Sequence, residues 1–494
     1  MLYLKMPPAK PDNLKMQAVH GTFWFGISRI AIQLLGWIAT IAVARILTPS
    51  DYGLLGFATL VSGLAILLNE LGLGAAIVQS KDLTEAELET VFWMGLCVSL
   101  LVYAVTFISA PWIASFFHEE SLALIIRIDF LEFIIGAFRI ISWNQLTKRL
   151  DFKRRSGVEV IATVCYLITV VFLAFSGAGV WSFIFAGLIR QLVLTVGCQW
   201  LVPWWPLGRF EYRCIRRVFS YGVNLSFGRI LWYLYSNADF FVVGKLLGKE
   251  ALGFYTMVWQ LCTAPVDKIS SVINGVAFPV YTQLQDQPKR LTRYFLKITM
   301  LISAVTLPLL AGVFLVADLA IPLLLTAKWQ PIVHPIQIMC WVGVIMSLSV
   351  LIGPLVNAIG RVDLPWKFNA LCLLVMPAGF AVGTRYGLWG VCIAWFVLFP
   401  ILVAVWYGVT RKLVGYEWKG LFSSLRPAVI CTFILLLSEL ALRWSTVALP
   451  LLARLITVII SGVAIYLAAF YGLFRSEFVE IRSLLNARNR SLAT

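Results

Sequence analysis

The chain has 494 residues, of which 60% are hydrophobic and only 13% charged, and its mean hydropathy is +0.88. A soluble domain averages about 45–50% apolar and about 25% charged residues, so a water-soluble body of this size is excluded. The formal net charge of +16 then points to basic loops on the inner side of a membrane, not to nucleic acid.

A spanning helix needs about 20 predominantly apolar residues. Fourteen stretches meet that need, near 22–47, 52–79, 88–114, 121–146, 156–176, 180–202, 218–243, 251–284, 291–317, 330–358, 364–384, 387–410, 424–445 and 450–473. Between the ninth and tenth, 318–329 with Pro322 and Trp329 reads as a short interfacial segment. The start of the chain carries Lys5, Lys10 and Lys15 without an apolar run, so no cleaved signal is expected. The nine cysteines have no framework spacing and mostly fall in apolar runs, as small packing residues.

Basic residues orient the spans. With the amino terminus inside, the inner connections collect Lys148, Arg149, Lys153, Arg154 and Arg155, then Arg209, Arg213, Arg216 and Arg217, and later Lys289, Arg290, Arg293, Arg411, Lys412, Lys419 and Arg426. The outer connections are short and hold scattered cations such as Arg45, Lys245 and Arg385. Both termini are therefore expected on the cytoplasmic side.

The chain also repeats itself. Shifted by 200 residues, Arg29–Ile30 falls on Arg229–Ile230, Leu47 on Leu247 and Gly53 on Gly253; later in the chain, at a different offset, Gly179-Val180-Trp181 before span six answers Gly387-Leu388-Trp389 before span twelve. The expected fold class is an all-α polytopic membrane protein of about fourteen transmembrane helices, with two pseudo-symmetric six-helix lobes as a parallel repeat plus a C-terminal helix pair. The expected divisions are an N-lobe at 1–202, a cytoplasmic amphipathic linker at 203–217, a C-lobe at 218–412, the last two spans at 413–474 and a cytoplasmic tail at 475–494.

No H-E-x-x-H, paired C-x-x-C or acidic cluster suggests a metal, and His20, His118 and His334 stand far apart. Gly244-Lys245 and Gly248-Lys249 lack the preceding glycine of a phosphate-binding loop. No catalytic residue, metal or cofactor is expected, and no enzyme.

An ionisable side chain within a span costs at least about 2.5–3.5 kcal/mol unless it faces protein or water. Such residues mark candidate sites. In the first span Arg29, Gln33, Gly36 and Thr40 share one helical face; in the seventh Ser226, Arg229, Tyr233 and Ser236 form the equivalent stripe, with Asn237 and Asp239 beyond. The second span offers Thr59, Ser62, Asn69 and Glu70, and the eighth Gln260, Asp267, Lys268, Ser271 and Asn274 beside a kink at Pro265. These spans are expected to line a hydrated cavity between two bundles. Plainer readings stay open: Arg29 can snorkel to the inner interface, Glu70 can pair with an arginine, and Asp267 with Lys268. Arg127, Asp129, Glu132 and Arg139 read as a helix-packing charge network, and Arg190 is undecided. Two guanidinium groups facing one cavity suit a multivalent anion, phosphate above all, through planar bidentate donors.

Four segments, ARILTPSDYGLLGF (Ala44–Phe57), ELGLGAAIVQ (Glu70–Gln79), KRLDFKRRS (Lys148–Ser156) and NADFFVVGKLLGKEALGFY (Asn237–Tyr255), resemble hallmark segments of bacterial polysaccharide flippases. These belong to the multidrug/oligosaccharidyl-lipid/polysaccharide export superfamily, and the style is that of colanic-acid and exopolysaccharide exporters. The resemblance implies an inner-membrane secondary transporter. It would carry an undecaprenyl-diphosphate-linked oligosaccharide repeat unit from the cytoplasmic to the periplasmic leaflet by alternating access, for extracellular or capsular polysaccharide or O-antigen. It implies pyrophosphate contact by Arg29 and Arg229, with Lys268 third, and a polar lining of Gln33, Thr40, Asn69, Tyr233, Ser236 and Asn274. Glu70, Asp239 and Asp267 become the acids for coupling to an H⁺ or Na⁺ gradient. Family context also implies a partner polymerase and copolymerase. A multidrug exporter of the same superfamily is the alternative, against which arginines in place of acids count. A polytopic glycan polymerase or ligase is disfavoured by the short outer connections.

Overall fold

The structure is a computed structural model that describes residues 32–33, 35–70, 84–149, 151–206, 208 and 229–479. Among the described residues there is no strand, and nine helical stretches are long and apolar enough to cross a membrane. This is a multi-pass membrane protein. The chain divides into two compact units, Met1–Ile230 and Leu231–Thr494.

Unit 1 contains α1 (Leu35–Ile46), α2 (Pro49–Glu70), α3 (Glu85–Phe117), α4 (Ser121–Asp129), α5 (Leu131–Ala137), α6 (Ile140–Lys148), α7 (Phe152–Phe175) and α8 (Trp181–Leu201). The predicted span at 121–146 is thus three short helices. Phe130 and Arg139, at φ −69 ψ −8 and φ −86 ψ −19, break the α-helical register without any proline. A hydropathy window does not register such breaks, because the apolar face continues through Ile125, Phe130, Phe133 and Ile141, all buried.

The TPSD and GVW segments meet in unit 1. Thr48 and Asp51 form a capping box on α2: Thr48 Oγ1 accepts from Asp51 N at 3.3 Å, and Asp51 Oδ2 accepts from Thr48 N at 2.9 Å. Asp51 Oδ1 then reaches across to accept Val180 N at 3.1 Å, fastening the start of α2 to the start of α8. Gly179 makes this approach passable: it sits at φ +57, and a Cβ there would lie 2.8 Å from Asp51 Oδ1. Beside this clamp, at the same end of α2 and α8, an apolar cluster of Ala58, Ile125, Val180 and Ile184 is closed over by Leu54 and Trp181.

Unit 2 contains α9 (Ala238–Gln283), α10 (Pro288–Leu325), α11 (Val333–Ser349), α12 (Ile352–Ala358), α13 (Asp363–Gly383), α14 (Gly387–Val414), α15 (Trp418–Ser445) and α16 (Leu451–Leu473). The expected separate spans at 218–243 and 251–284 meet within α9, whose two arms turn at the single residue Gly248, φ 83 ψ −178. The expected interfacial segment 318–329 is mostly helical. α10 runs through Pro322 to Leu325, because Leu319, Ile321 and Leu325 continue its buried stripe, and only Ala327–Ile332 is 3₁₀. α13 and α14 cross closely, with a Cβ on Gly383 only 2.5 Å from Gly390 O. At the start of α13, Asp363 accepts from Arg361 Nε at 2.9 Å and Lys367 Nζ at 2.8 Å. The hydrogen bonds to Asp363 hold the Arg361 guanidinium above its ordinary pKa. α10, α15 and α16 pack together around Ala311, Leu315, Cys431, Leu435, Tyr466 and Phe470.

Candidate functional site

An apolar membrane helix tolerates a carboxylate only where donors replace water. In unit 2 one such place is Asp239, in the first turn of α9 and fully buried. Its Oδ1 accepts from Phe240 N at 2.9 Å. Its Oδ2 accepts from the Tyr255 hydroxyl and from Trp395 Nε1 at 3.2 Å, and the same indole N–H reaches the Tyr255 oxygen at 2.9 Å. Tyr255 lies on the second arm of α9 and Trp395 on α14, so one carboxylate binds both sides of the Gly248 corner to a third helix. Phe240, Trp259 and Phe380 enclose the cluster with ring centroids 5.0–5.7 Å apart. Tyr255 and Trp395 lie 16 and 156 residues from Asp239 and carry no local signal that would have found them.

The other predicted residues of this unit are spread along its helices. Tyr233 and Ser236 are half-buried, and Ser236 Oγ donates to Tyr233 O at 3.2 Å, as does Asn237 Nδ2 at 3.0 Å, where the helix breaks before α9. Asp267 and Lys268 are exposed just beyond Pro265, and the Lys268 carbonyl accepts from Ser271 Oγ at 2.9 Å. Asn274 Nδ2 donates to Val350 O at 3.5 Å, at the break between α11 and α12, while its Oδ1 is buried without a hydrogen-bond partner.

Within Met1–Ile230, Gln33 and Thr40 are half-buried and Arg229 is exposed. Asn69 Oδ1 accepts from Ser99 Oγ at 2.8 Å and so joins α2 to α3. Arg29 and the Glu70 side chain lie outside the described residues. The fourth-span charges divide. Arg127 packs its guanidinium 4.4 Å over the Phe107 ring and donates through Nε to Phe107 O at 3.3 Å. Arg139 and Arg155 both lie over Trp143, at 4.8 and 4.1 Å from its ring, where cation–π attraction offsets part of their desolvation. Arg155 also donates to Thr147 Oγ1 at 3.0 Å and pairs with Glu159 at 3.8 Å. Glu132 lies within electrostatic reach of Arg139 and Arg190. Arg139, Arg155 and Arg190 thus lie near one another and near the two acids Glu132 and Glu159.

Among the described residues, no group of three or more His, Cys, Asp or Glu could hold a metal ion. A family model described as polysaccharide biosynthesis protein matches residues 42–334, more than half of the chain. The chain belongs to that family. The chain is 27% identical over 432 residues to the teichuronic acid biosynthesis protein TuaB of Bacillus subtilis (strain 168), covering 86% of this chain and 87% of that protein. It is 24% identical to the lipopolysaccharide biosynthesis protein WzxC of Escherichia coli (strain K12), covering 84% and 85% of the two chains. Among solved structures the lipid II flippase MurJ, in an inward closed conformation, superposes with a TM-score of 0.74 at 14% identity, covering 92% of this chain and 99% of that one. That likeness shows the fold. The family match takes in the Asp51 clamp, the Trp143 stack and Asp239, Tyr255 and Asp267, and ends at the start of α11.

Proposed function

We propose that this protein is a transporter and not an enzyme: a flippase that moves an undecaprenyl-diphosphate-linked oligosaccharide repeat unit from the cytoplasmic to the periplasmic leaflet of a bacterial inner membrane. The observation that carries this reading is membership of the polysaccharide biosynthesis family by a chain that matches the fold of a lipid II flippase over 92% of its length. In this reading the chain has fourteen spans as two six-helix lobes and a terminal pair, both termini are cytoplasmic, and the lobes alternate access to a polar cavity. Arg29 and Arg229, with Lys268, hold the pyrophosphate. Each charge-assisted hydrogen bond is worth about 1.5–3 kcal/mol, enough to set affinity roughly tenfold or more per lost contact. Gln33, Thr40, Asn69, Tyr233, Ser236 and Asn274 supply polar lining. Glu70, Asp239 and Asp267 are the acids for coupling to an H⁺ or Na⁺ gradient. Asp239 is already met by three donors, so Asp267, exposed on its helix, is the first to test. A polymerase and a copolymerase would act on the delivered unit.

The test is leaflet exchange of a fluorescent undecaprenyl-diphosphate oligosaccharide in liposomes holding wild type or the Arg29→Ala/Arg229→Ala variant. Exchange by wild type and its loss in a folded double variant support both transport and phosphate binding. Exchange that survives makes the arginines structural. Absence of wild-type exchange under every imposed gradient, with the cognate sugar supplied, overturns the flippase reading.

A further inference from the structure

The helix pair α15–α16 carries a second buried acid, Glu439. On α15 the residues facing α10 and α16 recur every fourth position: Cys431, Leu435, Glu439 and Arg443. Glu439 therefore occupies a place in an apolar stripe, and it has no solvent exposure. The neighbouring turn of α16 lies against it: a Cβ on Gly462 would be in ordinary contact, 3.7 Å from Glu439 Oε1, and Ser461 Oγ lies 2.6 Å from that same oxygen.

Hydrogen-bond counting bears on the state of this carboxyl. Ser461 Oγ is 2.6 Å from Glu439 Oε1 and also 2.6 Å from Thr457 O. A hydroxyl has one proton to donate, and the backbone carbonyl can only accept. If Ser461 donates to Thr457 O, Glu439 must donate to Ser461, which requires the acid form; if Ser461 donates to Glu439 Oε1, both forms fit and the burial of the second oxygen discriminates between them. The other oxygen, Oε2, is buried without a partner, a tolerable state for a carbonyl but a costly one for a charged carboxylate. Among the described residues no ion pair reaches Glu439. Arg443, one turn along α15, donates to Leu315 O at 2.9 Å and is ion-paired with Asp318 of α10. Arg454 of α16 donates to Arg443 O at 3.3 Å, two turns before Ser461. Tyr466 donates to Ala304 O at 2.8 Å, and Cys431 lies in the apolar cluster. Two acids, Asp318 and Glu439, thus share this region with two guanidiniums: Arg443, ion-paired with Asp318, and Arg454, which donates to a backbone carbonyl and has a buried Nε without a hydrogen-bond partner.

We propose that Glu439 is a proton-binding site of the α15–α16 pair, holding its proton at neutral pH and using it to latch α16 to α15 through Ser461. Ionisation places an uncompensated charge in the stripe, so the latch is present while the proton is bound and is released as pH rises and the proton leaves.

The experiment is infrared spectroscopy of the full-length protein in maltoside micelles, which contribute no ester carbonyl band. At pH 7, where an ordinary glutamate is ionised, wild type should show a carboxylic-acid C=O band that moves on ¹³C-glutamate labelling and disappears in Glu439→Gln. In Ser461→Ala the band should persist at higher frequency, because the O–H has lost its acceptor; this variant keeps the test valid if Glu439→Gln does not accumulate. Absence of a glutamic-acid band in wild type at pH 7, or a band indifferent to both substitutions, overturns the proposal.

Discussion

Removing the Asp51 carboxylate should loosen the start of α2 from the start of α8. Asp51→Ala deletes the side-chain half of a capping box, worth about 1 kcal/mol. It also strips the acceptor from Val180 N, which belongs to a residue only 5% exposed. An unsatisfied buried donor costs about 1–3 kcal/mol, so the sum is about 3 kcal/mol. For a unit of this size, each kcal/mol moves a thermal midpoint by roughly 2–4 °C, which places the expected drop near ~10 °C. A thiol-reactive dye reads it directly, since Cys198, Cys262, Cys340, Cys372, Cys392 and Cys431 are buried and become reactive on unfolding, with exposed Cys97 as the baseline. Asp51→Asn keeps an oxygen for Val180 N and a capping side chain, and should lose less than half as much. An unchanged midpoint for Asp51→Ala, or an equal drop for the two variants, would refute the clamp.

Gly383→Ala should be strongly destabilising because its Cβ meets the Gly390 backbone at 2.5 Å, whereas Gly312→Ala, with nothing within 4 Å, should be neutral or gain up to about 1 kcal/mol of helix propensity; the same dye assay separates them. Trp395→Phe retains the ring packing but removes the N–H shared by Asp239 and Tyr255, and should cost about 1–3 kcal/mol, with Tyr255→Phe at least as severe. Equal stability of Trp395→Phe and wild type would make the Asp239 cluster incidental. Arg443→Met should be worse than Arg443→Met combined with Asp318→Asn, since the second change removes the stranded carboxylate; additive losses in a double-mutant cycle would show that the ion pair carries no coupling.

Hydropathy made the membrane class and most spans legible, because about 20 apolar residues in a row leave few alternatives. Local conformation was less legible. The breaks at Phe130 and Arg139 carry neither proline nor charge pattern, while Pro322, a nominal breaker, sits inside α10 because buried Leu319 and Ile321 outweigh one lost hydrogen bond. Asp239 was visible as an acid inside a span, but its meaning depends on Tyr255 and Trp395, which only the fold brings near. Glu439 did carry a signal, a lone acid at fourfold spacing from Leu435 and Arg443, readable once the stripe it interrupts is drawn.

The Gly248 corner has a mechanical meaning. With no loop between the two arms of α9, there is no slack chain to take up relative motion. A side chain at φ 83 would be strained, so the angle between the arms rests on the torsions of one residue that alone can occupy it. Any swivel of one arm is either taken entirely at that pivot or handed undiminished to the other, and the Asp239 carboxylate, bonded on both sides of the pivot, acts as the brace that selects the second outcome.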